Sequence, residues 1–219
     1  IGYRGLSVWT PRGTLDNPDS GAVLRCEPDG SNLEIFASGL RNPQELAFNE
    51  FGDLFSGDNN SDSGDKARLV HIVEGSDAGW RMWYQYITRP VARGPWNADK
   101  LWLPAFDGQA AYITPPVANF ADGPSGLAYY PGVGLPESCR GRFFLADFRG
   151  ASALSGVRTF SLRPKGASFE LVNPELFLWN VLATDVAFGP DCAMYVSDWT
   201  EGWDMPGKGR IYQIGRAHV

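Results

Sequence analysis

One pattern occurs three times along the chain and limits the folds that it can adopt. Each copy has an apolar triplet, a turn, a second apolar run and a closing aspartate, which is Asp58, Asp147 or Asp198. The triplets are Leu46–Phe48, Leu127–Tyr129 and Val186–Phe188. A triplet is too short for a helix, and the Pro, Gly and Asp residues after it favour turns, so each copy predicts two β-strands. A recurring unit of this kind is typical of repeat folds.

Further apolar runs extend each unit toward four strands. Third runs follow the closing aspartates at 67–73, 156–162 and 209–214, a fourth occupies 169–172, and two more runs precede the first copy at 21–26 and 33–36. Four short antiparallel strands per repeat form a blade of a β-propeller. We therefore predict an all-β fold with about three to four blades, with almost no helix. Because propellers typically carry about 4–8 blades, we expect the chain to be a fragment of a longer protein.

Composition narrows the possible partners. The 219 residues include 26 Gly and 16 Pro, which suits a turn-rich β-protein. The formal net charge is −6, which argues against a nucleic-acid partner. No run approaches the roughly 18–20 apolar residues of a membrane helix. Residues 214–219 break the strand pattern, and we predict that they are a non-native tail, which removes His218 from consideration.

Two neighbouring segments carry a resemblance to a known family. Residues 39–48 read Gly-Leu-Arg-Asn-Pro-Gln-Glu-Leu-Ala-Phe, and a polar loop follows at 57–68. The first segment resembles a stretch shared by soluble quinoprotein glucose dehydrogenases and their aldose and sorbosone dehydrogenase relatives. Nearly all of residues 1–213 is similar to the propeller of planctomycete-type membrane-bound dehydrogenase homologues, which are often fused to haem c domains. Segments 58–68, 107–112 and 121–127 carry this second similarity.

The resemblance implies a fold and an activity. Residues 1–213 would be the C-terminal half of a six-bladed propeller, with 81–122 as a long loop on one face. The complete protein would oxidise a polyol or an aldose with pyrroloquinoline quinone (PQQ) and Ca²⁺, in the periplasm or outside the cell, with a haem c domain as a partner in the same parent chain. The family's catalytic base is a histidine expected upstream of residue 1, so the fragment alone should be inactive.

The resemblance also assigns the cofactor site. Arg41 and Asn42 would contact PQQ, and Arg149 could face the same side. An arginine suits a carboxylate-bearing quinone because its guanidinium is a planar, bidentate donor. The alternative is that Arg41 pairs with an acid at the blade junction and Asn42 starts the turn before Pro43. Leu182 and Thr184 stand where glucose dehydrogenases carry two further cofactor-binding arginines, which weakens the case for an anionic ligand.

The polar loop predicts a cation site. Asp58, Asn60 and Asp62 alternate along the chain before Gly64, and closely spaced oxygen donors are what a hard cation requires. With Asn59 they form the predicted calcium ligands. The alternative is a loop whose side chains cap its own backbone amides. His71 lies in an apolar run and is interpreted as a packed strand residue.

Two other functions remain open. The chain could be a non-catalytic propeller that binds carbohydrate or protein within a large envelope protein. It could also be a calcium-dependent hydrolase of the lactonase kind, which would need acidic ligands from several blades. The aromatic side chains of 81–122 could form a platform for sugar rings or pack the loop onto the propeller; the sequence favours neither. Asp147 and Asp198 repeat one blade position and are interpreted as structural.

Overall fold

The computed structural model of the protein describes residues 5–60, 65–80, 106, 114–204 and 207–215. In chain order its strands are β1 Leu6–Thr10, β2 Gly13–Asn17, β3 Gly21–Arg25, β4 Glu34–Leu40, β5 Pro43–Phe48, β6 Leu54–Asp58, β7 Arg68–Ile72, β8 Ala118–Asn119, β9 Pro124–Tyr129, β10 Arg142–Asp147, β11 Gly156–Lys165, β12 Ser168–Trp179, β13 Ala183–Phe188, β14 Met194–Asp198 and β15 Arg210–Ile214. Short 3-10 turns lie at Glu137–Cys139, Ser152–Leu154 and Gly202–Asp204. Within these ranges there is no α-helix and no helix suited to crossing a membrane.

The strands form successive antiparallel sheets. The first blade has the order β5-β6-β7-β8, the second blade has β12-β11-β10-β9, and the third blade contains β13-β14-β15. Strands β3 and β4 pair ahead of the first blade, and β1 pairs with β2 in a separate hairpin. The predicted all-β class, built from four-stranded antiparallel blades, is confirmed. The total of six blades stays a prediction.

The hydrophobic core lies between successive blades. The second strand of a blade is sandwiched by both neighbours, so its side chains are apolar on both faces and read as a continuous run. In β10, Phe143 and Leu145 pack toward the first blade, whereas Phe144 packs toward the third. In β6, Leu54 packs toward β3 and β4, and Phe55 packs toward the second blade.

Three features differ from the sequence-based prediction. The hairpin β1–β2 was not predicted, because its strands alternate weakly and have an exposed face. The end of the predicted face loop 81–122 contains β8, which supplies the outermost strand of the first blade by pairing with β7. Ile214, which the sequence placed in the tail, belongs to β15 and pairs with Met194.

Two glycines allow the blades to approach one another closely. A β-carbon on Gly57 would lie 2.5 Å from the Pro124 side chain of the second blade. A β-carbon on Gly126 would lie 2.4 Å from Oδ1 of Asp185 in the third blade. The inner strand of each blade therefore contacts that of the next, β5 against β9 and β9 against β13. These contacts bring equivalent ends of the three blades together.

The closing aspartates of the first and second blades hold the start of the inner strand. The Asp58 carboxylate is fully buried and accepts hydrogen bonds from the backbone amides of Arg41 and Asn42, at 2.8–3.1 Å. Asp147 repeats the arrangement with the backbone amides of Asp122 and Gly123, at 3.0 and 2.9 Å. Each carboxylate satisfies amides that precede the strand and would otherwise lack a partner inside the protein.

An arginine on the third strand neutralises each buried carboxylate. Arg68 forms an ion pair with Asp58, and Nε of Arg158 lies 2.7 Å from Oδ2 of Asp147. The third copy differs, because Asp198 accepts a bond from the Tyr212 hydroxyl at 3.3 Å and has Arg210 at 4.0 Å. Its Oδ1 has no hydrogen-bond partner among the described residues. The motif is therefore complete in two blades and altered in the third.

Replacing Asp147 with Ala should destabilise the fold. The change removes the acceptor for two backbone amides and leaves Arg158 without its counter-ion, and breaking a buried pair of this kind costs about 3–5 kcal/mol. Urea denaturation followed by tryptophan fluorescence measures the loss. Glu170→Ala, which breaks an exposed pair with Arg163, is the control and should change little. Equal effects of the two substitutions would contradict the structural role of Asp147.

The contribution of Glu45 to the stability of the fold should fall as pH rises through its titration. Loss of water around the carboxyl raises the pKa of Glu45 above its usual 4.5, and repulsion from Asp185 raises it further. The folded state therefore holds this proton more tightly than the unfolded chain, so stability is lost from about pH 4.5 upward. Denaturation midpoints across this window should decline less in Glu45→Gln than in the unsubstituted protein. Parallel curves for the two proteins would refute this assignment.

Candidate functional site

Equivalent positions of the three blades line one cleft of about 930 Å³. The residues that follow the starts of the inner strands are Gln44, Ser125 and Thr184, and all three line it. The residues that directly follow the closing aspartates line it as well, and these are Asn59, Phe148 and Trp199. The cleft therefore lies at the ends of the inner strands that the aspartates hold. Its volume is within the range of small-molecule sites.

A three-residue charged group bridges two blades at the cleft. Nζ of Lys66, in the first blade, lies 2.8 and 3.0 Å from the carboxylate oxygens of Asp122. Nε of Arg149, from the second blade, lies 3.2 Å from Oδ2 of the same carboxylate. Asp65 also lines the cleft. Among the described residues, four charged side chains line the cleft, two acidic and two basic, so their formal charges sum to zero.

Three aromatic rings form another part of the lining, which we call the aromatic corner: Phe148, Trp199 and Trp203. The Phe148 and Trp199 rings are nearly parallel, at 25° with centroids 5.9 Å apart. Trp203 stands nearly perpendicular to both, with its centroid 4.8 Å from that of Trp199. Trp203 is 68% exposed although it belongs to a cleft. The cleft thus combines charged side chains, whose formal charges cancel, with an accessible aromatic surface.

The predicted cofactor residues separate into two groups. Arg149 lines the cleft, whereas Arg41 and Asn42 do not. Arg41 is only 4% exposed, and its backbone amide, like that of Asn42, is bound by Asp58. This geometry gives the Arg41–Asn42 segment a place in the blade junction, with Asn59 hydrogen-bonded to the Asn42 carbonyl at 3.4 Å.

The predicted calcium ligands do not present a cation site in the described part of the loop. The Asp58 oxygens are committed to two amides and Arg68. The Asn59 side-chain oxygen accepts the Asn60 amide at 2.9 Å, and the Asn60 side chain donates to the Asp65 carbonyl at 3.3 Å. Asp62 lies outside the described residues. Among the described residues no group of three or more His, Cys, Asp or Glu is placed to hold a metal.

His71 and Phe120 have packing roles. The His71 ring stacks on Phe55 at 5.2 Å and meets Phe169 edge-on, and burial lowers the pKa of His71. Phe120 packs against Phe160 in the core between the first and second blades. Most other aromatic residues of 81–122 lie outside the described residues, so their two interpretations stay open.

Several cleft residues were missed from the sequence, although a signal was present. Phe148 and Trp199 each follow a closing aspartate, and Asn59, which was predicted for another reason, does the same. Aligning the three copies and reading one position further would have placed these residues together. Trp203 and Lys66 lie outside the repeated positions, so only the folded chain brings them to the cleft.

No protein-family model matches the sequence, and neither does any curated protein. Solved structures do match. An oxidoreductase of Thermus thermophilus described as a glucose dehydrogenase is 22% identical, with a TM-score of 0.62 over 89% of this chain and 55% of its own. The PQQ-bound aldose sugar dehydrogenase of Streptomyces coelicolor is 24% identical, with a TM-score of 0.55 over 90% of this chain and 52% of its own.

A third match is the soluble aldose sugar dehydrogenase of Escherichia coli in its apo-form. It is 19% identical, with a TM-score of 0.53 over 87% of this chain and 49% of its own. The chain therefore spans about half the length of these proteins. At such identities the likeness establishes the fold, which is that of the sugar dehydrogenase propellers.

Asp58→Asn should destabilise the protein by the same amount with and without calcium. The carboxylate serves Arg68 and two backbone amides, so its loss removes a junction of the first blade. Thermal melts in excess Ca²⁺ and in EGTA measure the effect on both proteins. A calcium-dependent gain in melting temperature that disappears in Asp58→Asn would show that Asp58 is a calcium ligand.

Proposed function

We propose that this chain forms part of a propeller of the PQQ-dependent sugar dehydrogenase kind, which in the complete protein oxidises an aldose or a polyol. The observation that carries the proposal is the cleft at the ends of three inner strands, in a fold shared with a PQQ-bound aldose sugar dehydrogenase. The resemblance at residues 39–48 supports the same function. From the family resemblance we propose a periplasmic or extracellular location. From the similarity of residues 1–213 to planctomycete-type dehydrogenase homologues we propose a haem c domain as partner.

The described residues of the cleft include side chains of the types that bind a planar, anionic quinone. Lys66 and Arg149 would hold carboxylates, since Arg is a planar bidentate donor and Lys a point charge. The aromatic corner offers flat apolar surface. When bound, the quinone supplies the oxidising power for converting an alcohol to a carbonyl. Ser125 and Thr184 line the same cleft and would orient hydroxyl groups beside it.

The chain's own carboxylate opposes this binding. Asp122 already contacts both cations, so an anionic ligand must compete with it for them. Calcium stays a proposal from the resemblance and from the spacing of oxygen donors in the loop sequence, because the Asp58 oxygens are bound by Arg68 and two amides and Asp62 lies outside the described residues. We assign no catalytic step to calcium. The base is proposed to be a histidine outside this chain.

A second candidate function is carbohydrate binding without redox chemistry. The cancelled charge of the cleft favours it, since neutral sugars would not have to displace Asp122. The Leu182 and Thr184 positions, which lack the arginines of glucose dehydrogenases, favour it as well. The lactonase-like alternative needs acids that converge from several blades. The buried Asp58 and Asp147 are both committed to backbone amides, so we do not propose it further.

The complete protein should reduce an electron-acceptor dye when it is supplied with PQQ, Ca²⁺ and aldoses or polyols. Arg149→Ala should weaken quinone binding about tenfold or more, because a hydrogen bond to a charged group contributes about 1.5–3 kcal/mol. Arg163→Ala, which removes an exposed arginine outside the cleft, is the matched control and should bind normally. No dye reduction and no spectral change on quinone titration, across a panel of sugars and alcohols, would refute the dehydrogenase proposal.

A further inference from the structure

The aromatic corner is built where the family resemblance expects a cofactor arginine. Leu182 is buried, and its carbonyl accepts the Trp199 amide at 3.0 Å. Its side chain packs against Gly202, where an added β-carbon would lie 2.8 Å from Cδ2 of Leu182. Leu182 therefore supports the turn that carries Trp203. Where the resemblance expects a cation, this chain has an apolar side chain, and that side chain supports the turn of the exposed Trp203 indole.

The turn fixes Trp203 beside the charged group. The Gly202 amide donates to the Trp199 carbonyl at 2.7 Å, which closes the turn, and the Trp203 indole nitrogen lies over Gly150. A β-carbon at position 150 would lie 3.3 Å from that nitrogen, so the absence of a side chain at Gly150 leaves room for the indole. Gly150 directly follows Arg149 in the sequence. The accessible ring and the Arg149–Asp122 pair therefore lie in the same cleft.

We propose that the aromatic corner is a docking site for a neutral sugar ring, with Trp203 as the stacking surface and with Asp122 lowering the affinity for acidic sugars. The inference rests on the carbohydrate part of the proposed function and not on the quinone. An exposed indole in a cleft covers the apolar C–H face of a pyranose, and nearby polar groups fix its hydroxyls.

The charge balance provides the selectivity. Asp122 accepts from Lys66 and contacts Arg149, so the pair Asp122–Arg149 offers an acceptor and a donor side by side for adjacent hydroxyl groups. Asp122 neutralises part of the positive charge of Lys66 and Arg149, so a uronate gains less from these two cations than it would without the Asp122 charge. Removing the Asp122 charge would leave two cations that attract a uronate. Asp122 thus determines specificity by charge.

The experiment measures sugar binding by calorimetry and tryptophan quenching, in EGTA and without quinone, on the chain and on the complete protein. The probes are glucose, galactose, mannose, xylose, cellobiose and, as the acidic sugar, glucuronate. We expect millimolar or tighter binding of a neutral sugar, which Trp203→Ala weakens about tenfold or more, as truncation of an aromatic anchor does. Trp9→Ala, at an equally exposed tryptophan outside the cleft, should bind like the unsubstituted protein.

Asp122→Asn should shift the preference toward glucuronate by about tenfold, equivalent to about 1.4 kcal/mol. Lys66→Gln changes the charge in the opposite direction on an exposed side chain and should weaken glucuronate binding further, which provides a second test if Asp122→Asn unfolds.

The proposal would be overturned if no neutral sugar showed binding that depends on Trp203. An unchanged preference in folded charge variants would overturn it as well. If dye reduction with quinone occurs but Trp203 has no effect on sugar binding, this inference fails and the dehydrogenase proposal stands. If a neutral sugar binds at Trp203 and quinone gives no response, this inference stands and the dehydrogenase proposal fails.

Discussion

In the first two blades, two backbone amides bound by one buried carboxylate set the position of the inner strand. Because Asp58 and Asp147 close the second strand and bind the residues just before the first, these two blades are fastened at the same end. The arginine on the third strand makes burial of that charge tolerable. In these two blades, the residues that line the cleft at equivalent positions lie within one or two positions of this fastening, so the repeat that builds the fold also builds this part of the site.

The third blade shows what happens when the motif is altered. Asp198 binds a tyrosine hydroxyl in place of two amides, and Leu182 stands directly before β13, where the first blade has Asn42 and the second has Gly123. Leu182 packs against Gly202 and supports the turn that carries Trp203. The cleft lining includes polar side chains of the first blade, the charges around Asp122, and aromatic rings of the second and third blades. Equivalent positions therefore carry side chains of different chemistry in each blade. The resulting combination of polar, charged and aromatic groups in one cleft is the basis for proposing a sugar ligand.

The fold was largely predictable from the sequence, and the site was predictable in part. Short apolar runs and turn residues identified the blade strands, because each second strand is buried on both faces and reads as a continuous apolar run. The sequence predicts Asn59 as a calcium ligand and Arg149 as a cofactor residue, and both line the cleft. The sequence could not distinguish buried side chains, such as Arg41 and Asp58, from exposed ones. That distinction depends on which amides and counter-ions surround a side chain. Trp203 and Lys66 reach the cleft only through tertiary contacts, which no local pattern encodes.

Native-state amide hydrogen exchange tests the central claim most directly. If the closing aspartates fasten the inner strands, the amides of Arg41, Asn42, Asp122 and Gly123 should exchange as slowly as the strand amides of β6 and β10, although none of them pairs within a sheet. Exchange of these four amides as fast as that of exposed loop amides, such as Gly166 in the hairpin between β11 and β12, would contradict the account.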